Sequence, residues 1–329
     1  MIGVTGANGL LGSFIIRKLV DENARFIAFK RNSSDTSLLE DIKDKIEWRD
    51  LDLQDPVSME DSLQGISAVI HAAALVSFDP RLASTITRVN TEGTRNLVNA
   101  CLVSQIKRFV YISSVGALGR TKGQTTIDES NKWVENSLNT AYANSKYLGE
   151  VEVYRGQEEG LNTVILNPSV ILAPADWTKS SAKLFRYVWE ERPFYIDGSL
   201  NYVDVRDVAA VTWLLLNSGM ENERFIINAG AVSYKDFFNA VAMRFGTKPP
   251  MIKLSKNILK IVAGAGLIMA KMRSSEPLIT PDTARLAGTF FLYQNNKIKK
   301  SLQFEFRSLD TTLDWCCRYY MQKFTLKKG

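Results

Sequence analysis

Tyr142 and Lys146 stand four residues apart in Tyr142-Ala-Asn-Ser-Lys146, a spacing that puts both side chains on one face of a helix. An ammonium held beside a phenol lowers its pKa from about 10 toward neutrality, so the tyrosine can exchange a proton with a carbonyl oxygen. The spacing alone does not single the pair out, because Tyr293 and Lys297, and Tyr319 and Lys323, share it. What precedes Tyr142 does. The segment Val110-Tyr-Ile-Ser113-Ser114 reads as a strand ending in two hydroxyls, and ligands of open parallel sheets collect at the C-terminal ends of strands. Ser114 is placed to hydrogen-bond the same carbonyl oxygen that Tyr142 would protonate. Helix or turn capping is the alternative role for these serines, and one of the two is expected to serve it.

A second constellation lies at the start of the chain. A strand at Ile2–Thr5 runs into Gly6-Ala7-Asn8-Gly9-Leu10-Leu11-Gly12 and then an amphipathic helix. Gly6 permits a tight turn, Gly9 lets the backbone approach a diphosphate, and Gly12 lets the helix pack closely on the sheet. The free N–H groups and positive dipole end of that helix favour the anion. The pattern predicts a dinucleotide site, an ordinary glycine-rich turn being the alternative. The second strand ends in Lys30 and Arg31 followed by Asn32-Ser33-Ser34. A carboxylate at this point would bind a ribose 2′-hydroxyl and repel a 2′-phosphate, whereas a guanidinium binds phosphate through parallel hydrogen bonds. NADP(H) is therefore expected in preference to NAD(H), which stays possible if the turn is simply solvated.

The elements that must hold these groups alternate between strand-like and helix-like patterns, as parallel βαβ units do. Strands are expected at 2–5, 25–29, 46–48, 68–71, 108–112, 163–166 and 225–228. Leu10, Leu11, Phe14, Ile15 and Leu19 form one apolar stripe, and Val89, Gly93, Leu97 and Ala100 another; a longer helical pattern covers about 140–158. The expected architecture is α/β, a doubly wound parallel Rossmann sheet with a smaller C-terminal substrate-binding domain. Residues 1–170, completed by about 203–230, make the nucleotide domain; 171–202 and 231–329 make the smaller one. Its aromatics Trp177, Phe185, Tyr187, Trp189, Phe194, Tyr195 and Tyr202 could line a ring-binding pocket or form plain core.

Composition narrows the class further. With 45% hydrophobic and 23% charged residues the chain reads as soluble and globular, and its net charge of +6 is too mild and scattered to indicate nucleic acid. His71 is the only histidine, which leaves a His-based metal site or a Ser-His-Asp triad poorly supplied. Cys101, Cys316 and Cys317 suggest neither a disulfide framework nor a metal knuckle. A cytoplasmic setting fits them, and no leader is expected ahead of the first strand. The apolar stretch 261–270 is shorter than the about 20 residues of a membrane span. A buried or interface helix is expected there, with a membrane-surface helix as the alternative.

Gly6, Gly9 and Gly12, Asp52-Leu53, His71-Ala72-Ala73-Ala74, Val89-Asn90 through Asn96, Tyr111-Ile112-Ser113-Ser114, Tyr142 with Lys146, and Asn167-Pro168 occur in a fixed order. In that order, over roughly residues 1–215, the chain resembles the extended short-chain dehydrogenase/reductases (the NAD-dependent epimerase/dehydratase family). Its basic second strand end, the run Ser113–Gly119 and Tyr202–Asp207 resemble the dihydroflavonol-4-reductase-like branch. The resemblance implies that Tyr142 is the acid/base, that Lys146 binds the nicotinamide ribose and tunes Tyr142, and that Ser114 polarises the substrate. It implies adenine contacts at Asp52 and Leu53 and a nicotinamide pocket at Pro168 and Ser169. Asn8, Leu10, Ala72, Ala73, Ala74, Asn90, Ile112 and Asn167 join the implied cofactor set, Ser77, Phe78 and Tyr202 the implied substrate set, and His71 a structural position. A homodimer through helices near residues 90 and 150 is common among such proteins. Leu51 stands where relatives often carry glycine, and Asn167 where sugar-modifying relatives usually carry arginine.

Three functions follow as expectations. The first is NADP(H)-dependent reduction of a ketone or aldehyde, or oxidation of the alcohol, with a small-molecule substrate and no metal. The second is nucleotide-sugar epimerisation or dehydration on bound NAD(P); residues 115–119 hold no Asp or Glu to serve a dehydration. The third is a non-catalytic nucleotide-binding sensor.

Overall fold

Runs rich in Val, Ile and Phe, buried on both faces, make parallel strands covered by helices. In the computed structural model, which describes residues 1–121, 123–255, 258–259 and 288–325, the strands are β1 (Ile2–Thr5), β2 (Phe26–Lys30), β3 (Trp48–Asp50), β4 (Ala68–His71), β5 (Arg108–Ile112), β6 (Thr126–Ile127), β7 (Thr163–Pro168), β8 (Val170–Leu172), β9 (Phe194–Tyr195), β10 (Ser199–Asp204), β11 (Glu223–Ile227), β12 (Gly230–Ser233), β13 (Ile252–Lys253) and β14 (Leu292–Tyr293). Seven form one sheet in the order β11-β7-β5-β4-β1-β2-β3, every neighbouring pair parallel. The expected Rossmann architecture is present. The third strand begins at Trp48 and not at Ile46, because Ile46 N still donates to Lys43 O and closes the helical segment Ser37–Lys45.

The helices are α1 (Leu10–Asp21), α2 (Pro56–Ser62), α3 (Ala83–Thr87), α4 (Gly93–Val103), α5 (Ala141–Glu158), α6 (Lys183–Trp189), α7 (Val205–Leu216), α8 (Tyr234–Phe245), α9 (Asn296–Leu302) and α10 (Leu309–Thr325). One face of the sheet packs against α1 and α7 through Ile15, Ile16, Leu19, Val208, Val211 and Leu215. The other packs against α2, α4 and α5 through Met59, Leu97, Val98, Cys101 and Val153. The helical stripe expected from Val89 to Ala100 is not one regular helix. Arg88–Glu92 forms a widened π turn between α3 and α4, which buries Asn90 and leaves Val89 half-buried. Single π turns of this kind recur at functional sites.

β8, β10 and β12 make a second sheet, and β6 with β14 and β9 with β13 make two-stranded ribbons. The second core joins Phe185, Val188, Phe237, Val241, Leu313, Cys316 and Tyr320. Trp177 stacks on Phe324 with ring centroids 3.5 Å apart, so most of the aromatics after Leu172 are core, while Phe194 stays exposed. The three cysteines are free and buried. The C-terminal segment departs from the expected layout: Ile298 of α9, Leu302, Phe304 and Phe306 pack on the core beneath α1 and α7. The apolar stretch 261–270 lies outside the described residues, among which no helix is long and apolar enough to cross a membrane.

Candidate active site

The glycine turn has the backbone its sequence requires. Gly6 has φ +68°, and a Cβ there would lie 2.6 Å from the Ala73 nitrogen. A Cβ on Gly12 would run into the Gly6 carbonyl oxygen, so α1 starts flush against β1. Gly9, exposed and extended (φ −80°, ψ 171°), precedes α1 and offers no side-chain cap. The first amides of a helix have no partner within it. An open, glycine-edged helix N-terminus at a strand end therefore fits a dinucleotide diphosphate. Asn8 Nδ2 donates to Asp35 O at 3.1 Å, bracing the turn that follows β2.

Beyond β2, Lys30 and Arg31 differ in how free they are. Lys30 Nζ lies 3.9 Å from Asp50 Oδ1, whereas Arg31 is exposed and pairs with no carboxylate among the described residues. The Arg31 amide donates to Ser34 Oγ at 3.1 Å. Asp52 is exposed, its Oδ1 accepting from the Gln54 amide at 2.9 Å. The Leu53 carbonyl accepts from Asn96 Nδ2 at 2.9 Å. The Ala72 amide donates to Thr5 O at 3.2 Å, the Ala73 amide to Thr5 Oγ1 at 3.4 Å, and Ala74 is exposed.

Thr140 starts α5 by accepting from the Ala143 amide at 3.0 Å, a side-chain cap of the usual kind. Tyr142 and Lys146 then share one face of α5. Ser114 is the polar group that faces the Tyr142 phenol. Contrary to the expectation from its spacing to Lys146, the phenol is not drawn toward neutrality: burial pushes it up to about 12, and Ser114 opposes that rise. Of the two serines, Ser114 is the one that caps: its Oγ accepts from the Gly116 amide at 3.1 Å, which leaves its own proton to donate. Ser113 donates instead to Glu150 Oε1 at 2.6 Å. Lys146 Nζ donates to Ile112 O at 2.6 Å and lies 4.5 Å from the centre of the Tyr111 ring. Burial draws its ammonium down to about 7, against the pull of Glu150.

His71 has no vacancy for chemistry. Its Nδ1 meets Thr5 Oγ1 at 2.7 Å, its Nε2 meets Thr94 Oγ1 at 3.1 Å, and its ring stacks on Tyr111; burial draws it down to about 3. Asn90 sits behind the site: Oδ1 accepts from the Leu75 amide at 2.7 Å, and Nδ2 donates to Leu75 O at 3.0 Å and Ser145 Oγ at 2.9 Å. Asn167 donates to Ser114 O at 2.8 Å and to Glu150 Oε1 at 2.6 Å. Its Oδ1 and the Ser169 Oγ are buried without a protein partner, and Pro168 between them ends β7 opposite Ile227. The exposed Phe78 presents an edge to the Tyr142 ring at 5.9 Å, beside the buried Ser77. Tyr202 is not part of this group; it packs in the second core with its hydroxyl toward the Leu309 backbone.

The other Tyr/Lys spacings resolve clearly. Tyr293 is on β14, while Lys297 on α9 pairs with Glu223. Lys323 Nζ reaches Tyr319 Oη at 3.2 Å on an exposed face. Sequence reasoning missed Glu150 and Arg224. Glu150 carried a signal, since it repeats the Tyr142/Lys146 spacing once more; Arg224 carried none. Among the described residues no cluster of His, Cys, Asp and Glu could hold a metal ion.

The model of the NAD-dependent epimerase/dehydratase family matches residues 2–230. The chain belongs to that family. It is an enzyme of the extended short-chain dehydrogenase/reductase superfamily. A Synechocystis protein named after dihydroflavonol 4-reductase is 30% identical over 253 residues, 75% of this chain and 73% of that protein. Cinnamoyl-CoA reductase 1 of Petunia hybrida is 25% identical over 271 residues, covering 78% of this chain and 80% of the reductase. Among solved structures, gox2253 superposes with a TM-score of 0.83 at 31% identity, covering 98% of each chain. UDP-glucose 4-epimerase of Thermotoga maritima superposes with a TM-score of 0.79 at 20% identity, over 98% of this chain and 99% of the epimerase; that likeness is one of fold.

Proposed function

We propose that this family member is an NADP(H)-dependent reductase of ketones or aldehydes, equally able to oxidise the alcohol. The observation that carries the reading is the meeting of Tyr142, Ser114 and Lys146 at the C-terminal end of β5, on the sheet edge that the Gly6–Gly12 turn also occupies. Gly9 and the first amides of α1 would hold the diphosphate, Arg31 the 2′-phosphate, and Lys146 the nicotinamide ribose. When bound, the reduced nicotinamide supplies the hydride. Ser114 and Tyr142 donate hydrogen bonds to the carbonyl oxygen, and Tyr142 gives its proton as negative charge develops there. The Lys146 ammonium stabilises the phenolate that remains. Phe78, exposed and edge-on to Tyr142, supports an apolar or ring-bearing substrate. The reductase names of the curated relatives support the same direction.

Tyr142→Phe tests the reading. Turnover of a reducible ketone or aldehyde should fall by about 10² to 10⁴, with NADPH affinity changed less than about threefold; a variant that keeps its turnover overturns the assignment. Purified protein carrying NAD that added NADPH does not displace would point to epimerase chemistry instead.

A further inference from the structure

Glu150 is 0% exposed on the third turn of α5, where a carboxylate survives only if it is paired and hydrogen-bonded. Its two oxygens are filled from three adjacent strands. Oε1 accepts from the Ser113 hydroxyl and from Asn167 Nδ2, each at 2.6 Å, and Oε2 accepts from Arg224 Nη1 at 3.2 Å. Ser113 follows β5, Asn167 lies in β7 and Arg224 in β11, strands that are neighbours in the sheet. Two of these donors lead straight to the reacting groups: Ser113 adjoins Ser114, and Asn167 also holds the Ser114 carbonyl at 2.8 Å. Lys146 lies one helical turn before Glu150, and Tyr142 two.

We infer that Glu150 is a positioning residue: it seats α5, and with it Tyr142 and Lys146, on the ends of β5, β7 and β11, and sets a carboxylate one turn from the Lys146 ammonium. The role rests on the reading of Tyr142 and Lys146 as the reacting pair. Glu150 is faced by Arg224 from β11, Tyr111 from β5, and Lys146 and Tyr154 on α5. Lys146 is faced by Tyr111 from β5 and His71 from β4. Burial raises the Glu150 carboxyl, while Arg224, Ser113 and Asn167 oppose the rise. The charge they preserve is the one that opposes the fall of Lys146.

The decisive measurement needs no substrate. With lysine ¹³C-labelled at Cε, NMR follows the Lys146 resonance of the full-length protein through a pH titration, the signal being identified by its loss in Lys146→Met. Glu150→Gln should lower the Lys146 midpoint by about one unit. It should also cut turnover by a larger factor at pH 8 than at pH 6, which a merely loosened helix would not do. If Glu150→Gln does not fold, the paired replacement Glu150→Met with Arg224→Leu, which leaves no unpaired buried charge, should give the same downward shift. An unmoved midpoint in whichever variant folds, or an equal loss of turnover at both pH values, overturns the inference. Retained turnover in Tyr142→Phe would overturn the reductase reading and leave this titration standing, so the two failures are distinguishable.

Discussion

The Lys146 ammonium donates to the Ile112 carbonyl oxygen at 2.6 Å, so the end of β5 holds the helix that carries Tyr142. The bond satisfies one of the three protons of an ammonium that is otherwise out of water.

That burial has a pH signature. Lys146 titrates at about 7 in the folded chain against 10.5 as its ordinary value, so the unfolded chain binds more protons between those limits. The penalty of the buried ammonium is complete below pH 7 and shrinks as pH rises toward 10.5. Lys146→Met should therefore stabilise the protein more at pH 6.5 than at pH 9, by roughly 2 kcal/mol. Urea unfolding at the two pH values checks this, and an equal effect at both would exclude so large a shift.

His71 acts in the same direction over a lower pH window. Buried, it stays neutral down to about 3, against 6.5 as its ordinary value, so the unfolded chain takes up a proton that the folded one refuses, and stability falls as pH drops below 6.5. His71→Asn should lose about 2 kcal/mol less than the parent between pH 7.5 and pH 5. Denaturant midpoints at the two pH values decide it.

Arg31→Asp replaces the exposed guanidinium at the end of β2 with a charge that repels phosphate. NADPH affinity should fall about 10- to 100-fold, with NADH affinity held or improved. Fluorescence titration with both nucleotides reads the change, and an unaltered preference would remove Arg31 from the 2′-phosphate site.

Gly12→Ala drives a Cβ into the Gly6 carbonyl oxygen, backbone that cannot rotate out of the way. A loss of about 1–3 kcal/mol is expected from overpacking, with NADPH binding weakened because the helix start moves off the sheet. Unchanged melting and binding would mean that α1 tolerates the displacement.

The glycine turn and the Tyr142/Lys146 pair were legible because their physics is local: a turn, a helix start, one helical face. One of the two serines was expected to cap, and the bond from the Gly116 amide makes that serine Ser114. The start of β3 was not legible, since Ile46 has the β-branched character of a strand residue but is claimed by the bond to Lys43. Tyr202 looked like a pocket residue on aromatic content, and only tertiary packing assigns it to the second core. Arg224 was invisible for a different reason. Its partner Glu150 lies 74 residues away, and nothing in the local pattern of β11 marks the ion pair.

The widened turn at Arg88–Glu92 makes this stretch sensitive to length as well as to composition. Each residue of a helix turns the chain by about 100°. Deleting one residue there would restore ordinary winding and rotate α4 relative to α3 by that amount, swinging Gly93 away from Leu53 and parting Asn90 from Ser145. Among homologous chains, substitutions in this segment should accordingly be common where side chains face water, and insertions or deletions rare.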